Sequence, residues 1–385
     1  MPHRRSCHER RARARRPILA LLGLALIAVG CSGTGQQAGS PSADPSSPTS
    51  ASTGSPAPST ADPTRTPEPK PISIAFAGDT HFEAQLRSRL DDPATALEPI
   101  ADELAAADLT VLNLETAVGT SGTPDPDMRY NFRASPAVFN ALRAAGVDVA
   151  TMANNHALDY GMPSLRDTFD AAARVAQASP PLDVVGVGAD AEAAFAPAVR
   201  DVRGRSVAVL AAHTADDPTA DPTGHWAATP ERAGVAITGD SGRLLEAVTA
   251  AETEADVVVV YLHWGIQGDG CPSPAQRDLA RSLAAAGADV VVGSHPHRLQ
   301  GAGMLDGTYV AYSLGNFVWY TRNSEAATRT GVLTVTVGVD GVTEQSWAPA
   351  VIQESGLPSF AEGSAAAQMS AERDQLRECT NLQPL

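Results

Sequence analysis

The chain has 385 residues, 44 of them acidic and 28 basic, for a formal net charge of −16, and Lys70 is its only lysine. That balance excludes nucleic-acid binding through a broad basic surface. The single lysine, set in a Pro-rich stretch, excludes a P-loop lysine and Schiff-base catalysis in the folded part.

Arginines at 4, 5, 10, 11, 13, 15 and 16 precede an apolar stretch from Pro17 to Gly30. Together they read as the basic and apolar regions of an export signal over residues 1–31. The stretch is too short to span a bilayer comfortably, for which about 20 apolar residues are needed. It ends Ala28-Val29-Gly30-Cys31, which resembles a bacterial lipobox with Cys31 as the lipidated residue; an ordinary secretory signal is the alternative. Residues 32–71 are almost wholly Ser, Thr, Pro, Gly, Ala and Gln. Such composition buries too little apolar surface to repay ordering, so it predicts a disordered tether giving reach from a membrane. The expected location is therefore the outer face of the cell membrane, as an exported lipoprotein. Without residues 1–30 the chain keeps 21 basic and 43 acidic residues and a charge near −22. Cys7 leaves with the signal, so Cys271 and Cys379 remain. In an exported protein they predict one disulfide, tying the C-terminal tail to the loop after His263. Two free thiols are the alternative.

From 72 to 351 the composition is globular and fits one domain. Apolar runs at 72–77, 109–114, 147–152, 184–187, 207–212, 257–262, 290–292 and 310–313 predict strands. Between them, Ala- and Leu-rich stretches at 94–107, 136–145, 162–178, 242–254 and 275–286 predict helices. Two of these end in Ala-Gly, at 145–146 and 286–287, which suits a glycine C-cap. The alternation argues an α/β domain. Asp340-Gly341 between apolar runs signals a hairpin, hence mixed sheets. Residues 352–385 read as a polar helical tail.

Five strand ends carry residues of ligand character: Asp79-Thr80-His81, Asn113-Leu114-Glu115, Asn154-Asn155-His156, His263-Trp264-Gly265 and Gly293-Ser294-His295-Pro296-His297. In extended backbone, residues two apart point the same way, so Asp79 pairs with His81 and His295 with His297. Carboxylate and imidazole together suit Zn, Mn or Fe. Glu115 can bridge two cations with its two oxygens. Asn155 offers a neutral amide oxygen, His156 can serve as an acid near a leaving group, and Asp159 can orient it. Each block alone has a bland reading as a cap or a solvated strand end. Together they point to one shared site, because α/β sheets gather ligands at the carboxyl ends of their strands. Trp264 is expected to shape the rim, and Arg133 to steady an anionic group.

The blocks FAGDTHF (76–82), LTVLNLETAV (109–118), NFRASP (131–136), MANNHALDYG (152–161), VVGVGADAEAA (184–194), YLHWGIQ (261–267), GADVVVGSHPHRLQG (287–301) and YSLGNF (312–317) give the chain a specific likeness. It resembles the CapA family of poly-gamma-glutamate capsule proteins, a branch of the calcineurin-like metallophosphoesterases. The resemblance implies a four-layer αββα sandwich of mixed sheets, like the metallo-dependent phosphatases, around two divalent metal ions. Carried across by motif, Asp79, His81, Glu115 and His297 would hold one ion. Glu115, Asn155, His263 and His295 would hold the other, with His156 as general acid. Two departures stand out: Asn113-Leu114-Glu115 replaces the second Gly-Asp block of the wider superfamily, and Gln267 stands where relatives often have Glu.

The expected activity is metal-dependent hydrolysis of phosphoester or amide bonds in envelope polymer synthesis. The alternative is a non-catalytic accessory role in polymer synthesis, export or anchoring. The expected partners are the membrane through the lipid anchor, an anionic envelope polymer or its precursor, and capsule synthase subunits.

Overall fold

The computed structural model describes residues 69–239 and 241–385. Cys31, the export signal over 1–31 and residues 32–68 of the tether lie outside the described residues.

Two large mixed sheets form the domain. In the first, Ile72–Thr80, Leu109–Leu114, Val149–Thr151 and Asp183–Val185 run parallel and adjacent. Arg329–Gly338, Gly341–Ile352 and Pro358–Phe360 extend it antiparallel beyond Ile72–Thr80. In the second, Arg205–His213, Val257–His263, Val290–Ser294 and Thr308–Ala311 run parallel. Ala198–Val202 and Ala302–Leu305 are its antiparallel edges.

The sheets face each other across one continuous apolar core. Tyr261 Oη donates to the Ala77 carbonyl across that interface at 2.8 Å. Helices Ala137–Ala144 and Gly161–Ala176 serve the first sheet; Gly242–Glu254 and Pro274–Ala286 serve the second. The order of layers is αββα. With both faces of each sheet covered, central strands lose polar alternation. Leu109–Leu114 and Val257–His263 are accordingly buried along their whole length.

Local chemistry sets the helix ends. Ser273 and Gln276 form a reciprocal capping box with Pro274 at the first helical position, satisfying amides that have no partner within the helix. The expected glycine caps are present: Gly146 and Gly287 have φ of +86° and +104°. The predicted helix over 94–107 is shorter, Glu98–Leu104, and a 3₁₀ helix at Ala84–Asp91 precedes it. The hairpin turns on Val339-Asp340, with Gly341 pairing back to Gly338. Beyond it, the tail forms the helix Gly363–Gln375. Cys271 and Cys379 are joined in a disulfide, 5.8 Å between Cα atoms.

Parallel register matters most for function. His263 lies level with Ser294 on one side and His213 on the other; Asp79 lies level with Asn113. All of these are strand ends pointing to one edge of the sandwich.

Candidate metal centre

Glu115 sits one residue past Leu109–Leu114 and is fully buried. Neither carboxylate oxygen has a hydrogen-bond partner among the described residues. Three imidazoles surround Oε1 instead: His263 Nε2 at 3.5 Å, His156 Nε2 at 3.9 Å and His297 Nε2 at 4.0 Å. Burial, then the nearby charges of Asp79 and Asp159, push the Glu115 carboxyl well above its ordinary range. A buried carboxylate without donors is costly, and a cation removes that cost.

Two groups of side chains meet at Glu115: Glu115 with His263 and His295, and Asp79 with Glu115 and His297. In each, the donor atoms lie within 4.8 Å of one another. Burial holds the His263 and His295 imidazoles low, hence neutral and able to donate a lone pair. Asp79 is also buried, which raises its carboxyl, but bonds from His297, Ser294 and Asn113 outweigh that and hold it low. Asn155 Oδ1 lies 2.6 Å from His263 Nε2, beside the first group.

A polar framework fixes these donors. Asn113 Nδ2 donates to Asp79 Oδ1 at 2.8 Å, while its Oδ1 accepts from Thr151 and Asn154. The His295 amide donates to Asp79 Oδ2 at 3.1 Å. His295 Nε2 is 3.0 Å from Asp217 Oδ2, leaving Nδ1 to face His263 Nε2 at 3.0 Å. A carboxylate behind a ligand imidazole sets its tautomer. Asn316 Oδ1 meets His297 Nδ1 at 2.8 Å. His213 Nδ1 bonds the His263 carbonyl, and its Nε2 meets Thr223; burial lowers its pKa to about 3.

His156 is held apart from the two groups as an oriented imidazole. Its Nδ1 donates to Asp159 Oδ2 at 2.7 Å, and Phe132 stacks on the ring at 4.1 Å between centroids. The Phe132 amide donates to the same Asp159 oxygen. Nε2 is left turned toward Glu115.

Two expectations need correction, Trp264 on the rim and a shared direction for His295 and His297; the places of His81 and Arg133 are these. His81 stands outside both groups: its Nδ1 accepts from the Glu83 amide at 3.0 Å, and its Nε2 is buried without a partner among the described residues. The ring packs among Phe132, Trp319 and Tyr320 at 4.8, 4.2 and 4.7 Å. Trp264 is not on the rim: it is buried, donates Nε1–H to the Tyr312 carbonyl and stacks on Tyr312. Arg133 has its guanidinium over the Tyr160 ring at 4.0 Å, a cation–π contact. His295 and His297 also lie past the end of their strand with φ of +100° and +55°, so they diverge, one ring to each group.

Asp217 and His213 escaped the sequence reading. Neither belongs to a block of ligand character, and only the register against His263 and the return of the 214–223 loop reveal them.

Residues 73–321 match the family model of bacterial capsule synthesis proteins, PGA_cap. The chain is 31% identical over 236 residues to the PGA biosynthesis protein CapA of Bacillus subtilis, covering 60% of this chain and 58% of that protein. It is 34% identical over 208 residues to the capsule biosynthesis protein CapA of Bacillus anthracis, covering 52% and 48%. The chain thus spans about half the length of the curated relatives it matches. A phosphatase structure from Mycoplasma pneumoniae aligns with 73% of this chain and 94% of that one, at 14% identity and a TM-score of 0.45.

Proposed function

The chain belongs to the PGA_cap family of bacterial capsule synthesis proteins, and from that premise we propose that it serves the making of an anionic envelope polymer of the poly-glutamate type through a metal-dependent hydrolytic centre. The observation that carries the metal half is Glu115, whose two buried oxygens have no donors while histidines crowd around them. The polymer half rests on the family and on the relatives' names. Two divalent ions, of Mn, Fe or Zn, fit the donor set, Glu115 being common to both groups.

Divalent cations bound there would supply charge to clamp an oxyanion and to acidify a water. The residues of the chain do the rest. Asp79, Glu115 and His297 hold one side, and Glu115, Asn155, His263 and His295 the other. Asp217, Asn113 and Asn316 keep the donor atoms aimed inward. His156 is the proton carrier: Asp159 takes the Nδ1 hydrogen, so protons enter and leave at Nε2, on the face turned to Glu115. Phe132, packed on both His81 and His156, limits water at that face.

A relative at 30% identity, a probable polyglutamine synthesis accessory protein of Mycobacterium tuberculosis, favours a second reading, an accessory protein whose cations are structural. The two separate on one variant. With an aryl phosphate or a glutamyl amide as substrate, His156→Ala should lower turnover about 10²- to 10⁴-fold while metal content by elemental analysis stays unchanged. Turnover independent of His156 removes its role as proton carrier, and no turnover with metal bound leaves only the accessory role. We further propose attachment to the outer face of the membrane through Cys31, on the sequence of residues 1–71 alone. Acyl labelling of the full chain, abolished in Cys31→Ser, tests it.

A further inference from the structure

A cavity of about 300 Å³ lies against the tail helix, lined by Arg298, Arg329 and Arg373 together with Leu299, Trp347 and Met369. Glu372 is the one acidic side chain in its wall. Three guanidinium groups thus meet one carboxylate, in a chain whose net charge is −16.

The three arginines are not equivalent. Arg329 pairs with Glu325 and Glu372 at 2.8 and 3.8 Å. Arg298 donates only to the Gly268 carbonyl, and Arg373 Nη1 only reaches Gln345 Oε1 at 3.3 Å. Arg373 is 95% buried by its 5% exposure, and its Nη2 has no partner among the described residues. Its guanidinium lies 4.5 Å over the Trp347 ring. Burying a guanidinium without an opposing charge is costly. Its Nη2 remains open to a carboxylate oxygen, and Arg373 stands in the wall between this cavity and a neighbouring one that also holds Gln345.

The cavity is also tied to the metal centre. Arg298 directly follows His297 in sequence. Asn316, which holds His297 Nδ1, donates to the carbonyl of Ala327, next to Ala326 in the cavity wall. The Cys271–Cys379 disulfide braces the wall, its partners flanking Gly270 and lying three residues past Leu376.

We propose that this cavity is a second anion site, where a carboxylate on an aliphatic arm docks between Arg298 and Arg373 while the chain bearing it extends toward the metal centre. The apolar wall of Leu299, Met369 and Leu376 takes the methylene body, which a bare inorganic anion does not need. The identity of that chain as an acidic polymer rests on the function proposed above; the charge of the site does not.

The test uses the full chain in excess chelator, so that no metal contributes, titrated calorimetrically with a short oligomer of glutamic acid. Binding should weaken about tenfold or more in Arg298→Gln, in Arg373→Gln and in the cavity-filling Met369→Trp. It should fall as salt is raised, and glutarate should compete far better than inorganic phosphate. Arg298→Gln and Met369→Trp keep the test open if Arg373→Gln does not fold. Unchanged affinity in these folded variants overturns the proposal, as does equal competition by phosphate. Metal content and aryl phosphate turnover, measured on the same variants before chelator is added, report on the metal centre alone, so either reading can fail without the other.

Discussion

The two ends of the β-sandwich use the same unusual backbone for opposite purposes. At the end away from the metal centre, left-handed residues sit in turns: Arg203-Gly204 and Asp306-Gly307 join edge hairpins, and Gly341 follows the turn between the long antiparallel strands. Paired left-handed residues match the twist of two-residue hairpins, so this geometry is the relaxed one there. At the other end His295 and His297 are left-handed too, as non-glycine residues. A non-glycine residue so placed costs about 1–3 kcal/mol unless its surroundings hold it. What holds His295 is the bond from its amide to Asp79 and the contact of its ring with Asp217. Polar satisfaction differs in the same direction. At the turn end, Arg205 bridges the sheets to the Val337 carbonyl; at the metal end Glu115 has no donor among the described residues. The molecule concentrates strain and unpaired charge where chemistry is expected and keeps the far end regular.

The sharpest way to test that contrast is acid. His213 is buried and its pKa falls from 6.5 to about 3 in the fold. Below pH 6.5 the unfolded chain takes up a proton that the folded chain refuses. Stability from this group is therefore whole above pH 6.5 and is lost as pH falls toward about 3, on the order of 5 kcal/mol across the window. Denaturant unfolding of metal-free protein from pH 8 to 5 should show the loss, and His213→Gln should flatten the slope by one proton. Glu115, with its raised pKa, works in the opposite direction, so the difference between wild type and variant is the quantity to read. Identical slopes would mean His213 is not buried as a neutral ring.

Close packing gives the next effect. A methyl added at Gly78 would fall 2.0 Å from the Gly315 carbonyl oxygen, backbone against backbone. Gly78→Ala should cost about 3 kcal/mol and displace Asp79, so both melting temperature and metal content should drop. Glu115→Gln should separate stability from binding: metal affinity falls about 100-fold, some 2.7 kcal/mol, while the metal-free protein melts higher. A metal-free melt that falls instead would show that the carboxylate is satisfied. The smallest effect belongs to the turn end. Gly204 has φ +81° with open space around it, so Gly204→Ala should cost about 1 kcal/mol and leave metal content untouched.

Much of this architecture was readable from the chain. Leu109–Leu114 and Gly242–Glu254 fall where their patterns predict, since continuous apolar runs and Ala-rich helices carry their own signal. The edge strands Ala198–Val202 and Ala302–Leu305 did not: the first is half-exposed and the second is short and begins Ala-Gly, so neither shows a continuous apolar run, although Asp306-Gly307 is the same hairpin signal that marks 340–341. Candidate donors were legible wherever they sat in compact blocks at strand ends, as with Glu115, His263 and His295. Asp217 was not, since a loop carboxylate gains meaning only from the imidazole it meets.

By itself, then, the sequence determined an α/β domain of mixed sheets and the edge at which polar side chains would gather, because burial patterns and strand-end blocks are local properties; the four-layer order was what the family resemblance implied. Only the tertiary structure decided which of those side chains face one another. Contacts from distant segments pack His81 against Phe132, Trp319 and Tyr320, left-handed backbone sends His295 and His297 to different groups, and the packing of distant strands leaves Glu115 buried among imidazoles. Those are relations between segments far apart in the chain, and no local pattern encodes them.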